Sequence, residues 1–356
     1  MTVTRSARPA AVRRRTGVLA GLAALTAVAF VLAVMIGSTP LPLGSVLAAL
    51  ARDADQATET IVWTVRLPRA VTAALAGAAL AVAGVQMQTL FRNPLSEPYI
   101  LGVSSGASLG VALVVTGWGG GSAGAFTAGV AGLGRVGVVL AASAGAAAVL
   151  LLVLALARRV RSVVTLLVIG VMVGSAAVSV ITLMLVYTEP RLAQQYIAWG
   201  LGSFAGTTWA DLAVLGPVCV GALALALAWM KPLNALLLGE NYARTMGVHV
   251  RRTRTVTLLV ASVLAGAVTA FCGPIAFLGL AVPHVTRLLL GTADHRVLMP
   301  GVLLLGACVA LLCCVATQAP GSGAVLPLNA ITTLLGTPVV IAVLLRSRAA
   351  RMGLAV

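Results

Sequence analysis

Residues 66 to 107 read RLPRAVTAALAGAALAVAGVQMQTLFRNPLSEPYILGVSSGA. From Ala70 to Leu90 the stretch carries no charge, and about 20 apolar residues cross a hydrocarbon core as a helix with every backbone hydrogen bond made internally. It is read as a membrane span. Arg92, Asn93, Pro94, Leu95, Ser96, Glu97 and Pro98 follow. The prolines remove backbone donors and push the residues before them out of helical geometry, so the helix is expected to end in a polar elbow. Gly102, Ser104, Ser105 and Gly106 then allow close helix approach or an irregular start to the next span.

The rest of the chain agrees with that reading. Its 356 residues are 60% hydrophobic and 9% charged, with mean hydropathy +1.08, outside the range of a soluble domain. The fold class is therefore an all-α polytopic membrane protein of the cell membrane, in contact with lipid. A net charge of +16 does not point to nucleic acid, because the arginines sit in short clusters between apolar runs, as in loops that face the cytoplasm. Cys219, Cys272, Cys308, Cys313 and Cys314 lie in apolar runs without CxxC spacing, which indicates neither zinc nor a disulfide framework. The Arg13 to Arg15 cluster precedes a run long enough to span, with no clean small-x-small cleavage site after it, and is taken as the start of the first span.

Windows of about 20 apolar residues give about ten spans, near 17 to 37, 70 to 90, 99 to 117, 136 to 157, 163 to 187, 211 to 230, 255 to 272, 275 to 291, 299 to 317 and 328 to 345. One transmembrane domain (17–346) is expected between a basic cytoplasmic N-terminus (1–16) and a cytoplasmic tail (347–356), with both termini inside. Arg158, Arg159, Arg161, Lys231, Arg244, Arg251, Arg252, Arg254, Arg296, Arg346, Arg348 and Arg351 then fall inside. Asp53, Asp55, Glu59, Glu189 and Asp211 fall outside, with Trp63, Trp118, Trp199 and Trp209 in an outer aromatic belt. Arg66, Arg69, Arg135 and Arg191 break the rule. Arg66-x-x-Arg69-x-Val71-Thr72 is echoed by Arg251-x-x-Arg254-x-Val256-Thr257, and at the same offset Pro98 meets Pro283 and Gly106 meets Gly291. One copy starts outside and the other inside, as in an inverted repeat.

There is little material for bond chemistry. His249, His284 and His295 lie at loop or helix ends, and no HExxH, GxSxG or Walker loop occurs, so no catalytic residue, metal site or cofactor is expected. Most of the eight acids fall in loops, without the chain of intramembrane acids that ion coupling needs, and energy is expected from a partner. The inner loop 231–254 (KPLNALLLGENYARTMGVHVRRTR) is the longest inner polar segment. Glu240, Ala243 and Gly247, at i, i+3 and i+7, give one face a carboxylate, a small residue and a helix-ending glycine.

Residues 66–107, the Gly239-Glu240-x-x-Ala243-x-x-x-Gly247 loop and the run Gly273-Pro274-Ile275-x-Phe277-x-Gly279-Leu280-x-x-Pro283-His284-x-x-Arg287 together resemble the permease family of ATP-binding-cassette importers for iron-siderophores, haem and vitamin B12. The resemblance implies ten spanning helices, a second permease chain (a copy or a relative), two cytoplasmic ATPase subunits and an extracytoplasmic binding protein. It implies that Glu240, Ala243 and Gly247 mark the coupling helix seated on the ATPase, and that Asn93 and Leu95 form an inner gate. Arg66 and Arg69 would meet acidic residues of the binding protein; Ser175, Ser179 and Thr182 would border the pathway. The ligand implied is a ferric siderophore, or else haem or cobalamin; a self-powered secondary transporter is the alternative. Where the family usually has charged residues at the outer end of the last two spans, this chain has Cys313, Thr317 and Val325, followed by Leu326, Pro327, Leu328 and Asn329.

Overall fold

The computed structural model describes residues 7–37, 39–116, 133–159, 163–318 and 325–351. Trp118, Arg161 and the end of the expected tail lie outside the described residues. The described chain is helical: α1 (Ala7–Met35), α2 (Leu43–Leu50), α3 (Gln56–Thr60), a π-helical segment (Ile61–Arg66), α4 (Leu67–Phe91), a 3-10 turn (Pro98–Leu101), α5 (Val103–Val115), α6 (Leu133–Arg159), α7 (Val163–Val186), α8 (Pro190–Gly200), α9 (Trp209–Ala228), α10 (Met230–Leu237), α11 (Glu240–Thr245), α12 (Val250–Cys272), α13 (Leu278–Leu290), α14 (His295–Ala316) and α15 (Leu328–Arg351). Among the described residues, seven helices are long and apolar enough to cross a membrane, and three shorter apolar helices lie within α5, α13 and α15, in keeping with the expected polytopic fold of about ten spans.

The core is built around α4, α12 and α14, the most deeply buried of the spanning helices. In lipid, helices gain little from hiding apolar surface from one another, so close packing of small residues carries the association. The alanines of α4 from Ala70 to Ala83 supply that face. A Cβ built on Gly77 would lie 2.2 Å from Gly306 O in α14, and one on Gly84 would lie 1.8 Å from Gly279 O in α13. These backbones touch, and only glycine fits. The helices α1, α7 and α9 are mostly exposed along their apolar lengths, as lipid-facing or partner-facing spans would be.

Two departures from the sequence reading concern where helices begin. The second span is expected from 70, but helix runs continuously from Gln56. Asp55 caps it by accepting the Thr58 N–H at 3.0 Å, while Trp63 Nε1 donates to Ala49 O at 2.9 Å and Trp209 Nε1 to Trp63 O at 2.6 Å. The amphipathic α8, between the fifth and sixth spans, is not anticipated at all. It leads into a turn tied to other outer segments: Ser203 N donates to Cys272 O at 2.8 Å, and Asn329 N donates to Leu201 O at 3.1 Å.

Candidate coupling and gate site

The elbow is as sharp as its prolines dictate, and it turns the chain back into the molecule. Helix α4 ends at Arg92, which adopts φ 48 in the left-handed region. Asn93 Oδ1 then accepts the Leu95 N–H at 2.9 Å, and Asn93 O accepts the Ser96 N–H at 3.1 Å, an Asx turn nested in a backbone turn. From there the chain climbs beside α13. The His284 ring donates from Nε2 to Pro94 O at 2.8 Å, since a carbonyl can only accept. The Tyr99 hydroxyl accepts the Ile275 N–H at 3.2 Å.

Helix α5 consequently starts part-way across. Gly102 lies against Gly170 and Gly174 of α7 and Val149 of α6, well inside both helices. The 13 residues of α5 rise only about 20 Å at 1.5 Å each, short of a core of about 30 Å. Irregular backbone at such depth is tolerable where protein packs against it, as around buried Pro98, Leu101, Gly102 and Val103. The irregular run 273–277 before α13 lies at the same level, joined to the first by Tyr99.

The inner loop folds as α10 and α11 against this elbow. Gly239, with φ +113, opens α11, and a Cβ there would lie 3.0 Å from the Arg92 guanidinium. Ala243 is fully buried rather than presented outward, and the Glu240 carboxylate turns to the body of the chain, 2.8 Å from Arg254 of α12 and 3.6 Å from Arg244. Gly247, with φ +79, ends the turn after α11. What the loop does present is Leu238, Tyr242 and Met246, at 61%, 62% and 58% exposure. Tyr242 and Met246 stand four residues apart, a spacing present in the sequence, with Leu238 just before the non-helical Gly239.

At the opposite end, Arg66 and Arg69, expected to face outward, are only 2% and 4% exposed. Arg66 Nη1 donates to Val34 O at 2.9 Å and Met35 O at 2.6 Å, and its Nη2 donates to Thr39 O. Arg69 Nη2 donates to Ala33 O at 2.8 Å and Ile36 O at 2.6 Å. Helix C-termini leave carbonyls unsatisfied and carry partial negative charge, which a guanidinium neutralises. The two arginines are the C-terminal cap of α1.

Ser175, Ser179 and Thr182 lie on the exposed face of α7. Ser179 and Thr182 return their hydroxyls to Ser175 O and Val178 O at 3.0 and 2.9 Å. Leu95 is 38% exposed at the tip of the elbow. The neutral outer residues are structural: Thr317 Oγ1 donates to Cys314 O at 2.7 Å, and the Asn329 amide joins Gly200 O, Pro274 O and the Ala276 N–H at 3.2, 2.7 and 3.0 Å. The five cysteines are buried and form no disulfide, and among the described residues no cluster of acids, histidines or cysteines is placed to hold a metal.

Comparison with known proteins matches residues 25–346 to the FecCD transport family. The chain is 37% identical over 295 residues to the cobalamin import system permease protein BtuC of Halobacterium salinarum, covering 82% of this chain and 75% of that one. It is equally similar, at 37% over 295 residues, to the vitamin B12 import system permease protein BtuC of Escherichia coli O9:H4, covering 82% and 85%. Among solved structures, an inward-facing conformation of a metal-chelate type ABC transporter superposes with a TM-score of 0.80 at 28% identity, over 93% of this chain and 99% of the other. The chain belongs to the FecCD transport family, as a multi-pass membrane permease subunit of an ATP-binding-cassette importer that is not itself an enzyme.

Proposed function

We propose that this permease passes a bulky metal chelate, handed over by an extracytoplasmic binding protein, along a pathway between itself and a second permease chain, driven by two cytoplasmic ATPase subunits. One observation carries the mechanical part: the elbow and the loop 231–254 are in direct contact, Gly239 against Arg92. A rotation of α11 imposed by the ATPase therefore reaches the Asn93–Leu95 turn without an intermediary. Exposed Leu238, Tyr242 and Met246 give the ATPase an apolar surface, the kind of anchor that fills a pocket in an interface. Glu240, Ala243 and Gly247 hold that surface in position from behind. Asn93 and Leu95 form the inner gate, and the hydroxyl stripe of Ser175, Ser179 and Thr182 borders the pathway.

Cobalamin is the first cargo to test, because relatives named for vitamin B12 import share 37% of residues over 82% of the chain. Ferric siderophore, the cargo suggested by the wider family resemblance, is the second. Vesicles holding this permease with its ATPase and binding protein are expected to accumulate one of these chelates only with ATP inside the compartment bearing the ATPase. Accumulation driven by an ion gradient without ATP would overturn the reading in favour of a secondary transporter.

A further inference from the structure

Four side chains with no part in the roles above form a continuous hydrogen-bonded run at the inner end, from buried Thr89 and His295 through half-buried Asn234 to exposed Asp294. Thr89, in the last turn of α4, places its Oγ1 2.9 Å from His295 Nε2. His295, at the start of α14 and wholly buried, places Nδ1 2.7 Å from Asn234 Oδ1. The same amide oxygen accepts the His295 backbone N–H at 2.8 Å. Asn234 Nδ2 donates to Asp294 Oδ1 at 2.6 Å, and that carboxylate oxygen also takes the Arg296 N–H at 3.0 Å as the cap of α14.

Chemistry fixes the protons. A backbone N–H can only donate, so the amide oxygen of Asn234 is the acceptor and His295 Nδ1 must carry a hydrogen. In the neutral ring Nε2 is then the acceptor for the Thr89 hydroxyl. Each link has one direction, and the buried Thr89–His295 link at its head holds its members in one arrangement.

The ends of the run matter most. The Thr89 carbonyl accepts the Arg92 N–H at 3.3 Å, so the residue gripped by His295 also carries the first residue of the elbow. Asn234 belongs to α10, which leads within a few residues through Leu238 and Gly239 into α11. His295 thus stands between the loop and the root of the gate.

We propose that Thr89, His295 and Asn234 are positioning residues that make the elbow follow the coupling loop, a second tie beside the contact of Gly239 with Arg92. The proposal rests on the coupling reading of 231–254, which Glu240→Arg tests separately, so either can fail alone. Thr89→Val keeps the shape of the side chain and removes the hydroxyl. In reconstituted vesicles containing permease, ATPase and binding protein, Thr89→Val is expected to leave ATP hydrolysis within about twofold of wild type. Uptake per ATP is expected to fall about tenfold, the equivalent of one buried hydrogen bond near 1.4 kcal/mol. Thr89→Ser, which restores the hydroxyl, is expected to recover uptake. Asn234→Ala combined with Thr89→Val should be no worse than the poorer single variant, because both act through the same ring. The proposal is overturned if Thr89→Val transports as many molecules per ATP as wild type, if the serine and valine variants lose uptake equally, or if uptake and hydrolysis fall together.

Discussion

At the scale of single residues, the absence of a side chain is as informative here as any functional group. Gly84 and Gly279 bring α4 and α13 to backbone contact, and the elbow's register against His284 depends on that approach. A Cβ on Gly84 would sit 1.8 Å from a carbonyl oxygen, a distance no rotamer change relieves. Overpacking a tight site costs about 1–3 kcal/mol, occasionally more, and here the obstacle is backbone. Gly84→Val is therefore expected to lower the melting temperature of the detergent-purified permease strongly or to prevent its accumulation. Gly221→Ala, where nothing lies within 4 Å of the added methyl, is expected to change stability by no more than about 1 kcal/mol. Equal behaviour of the two would refute the packing argument. The sequence showed that small residues crowd this region, but not which glycines meet, because a pattern along one helix does not contain its partner's register.

At the scale of elements, the difference between a surface charge and a cap decides what Arg66 and Arg69 do. The sequence shows them as arginines flanking the apolar run from Ala70, where they break the positive-inside rule. It could not show that α1 ends beside them with open carbonyls, since that is a contact across 27 to 36 residues. The elbow was legible because Pro94 and Pro98 act locally, whereas α8 and the π-helical start of α4 depend on tertiary partners such as Ala49 and Trp209. Charge-assisted hydrogen bonds are worth about 1.5–3 kcal/mol each when buried. Arg66→Glu with Arg69→Glu is thus expected to destabilise the isolated permease by several of these units, read as a lower melting temperature with no binding protein present. An unchanged melting temperature, together with salt-dependent loss of binding-protein affinity, would return both residues to docking.

At the scale of the whole molecule, the inner end works as one assembly in which α4, α10, α11, α13 and α14 converge on the elbow. The 231–254 loop stands out in the sequence because its Gly–Glu–Ala–Gly spacing is local; its orientation does not, because the burial of Ala243 and the exposure of Tyr242 and Met246 are set by packing against the rest of the chain. That orientation separates two ways of breaking the importer. Tyr242→Asp with Met246→Asp puts carboxylates on the exposed stripe while leaving the buried contacts of Ala243 intact. The permease is expected to keep its melting temperature and to lose co-purification with the ATPase by at least about tenfold in affinity, since a central apolar anchor commonly contributes more than 1.4 kcal/mol. Glu240→Arg instead sets a third cation against Arg244 and Arg254, now 3.6 and 2.8 Å from the carboxylate. Uptake is expected to be abolished with the protein still in the membrane, and the ATPase should still co-purify, because the stripe remains. If Glu240→Arg instead loses the ATPase while Tyr242→Asp with Met246→Asp retains it, the carboxylate is the docking group and the stripe is only lipid-facing surface.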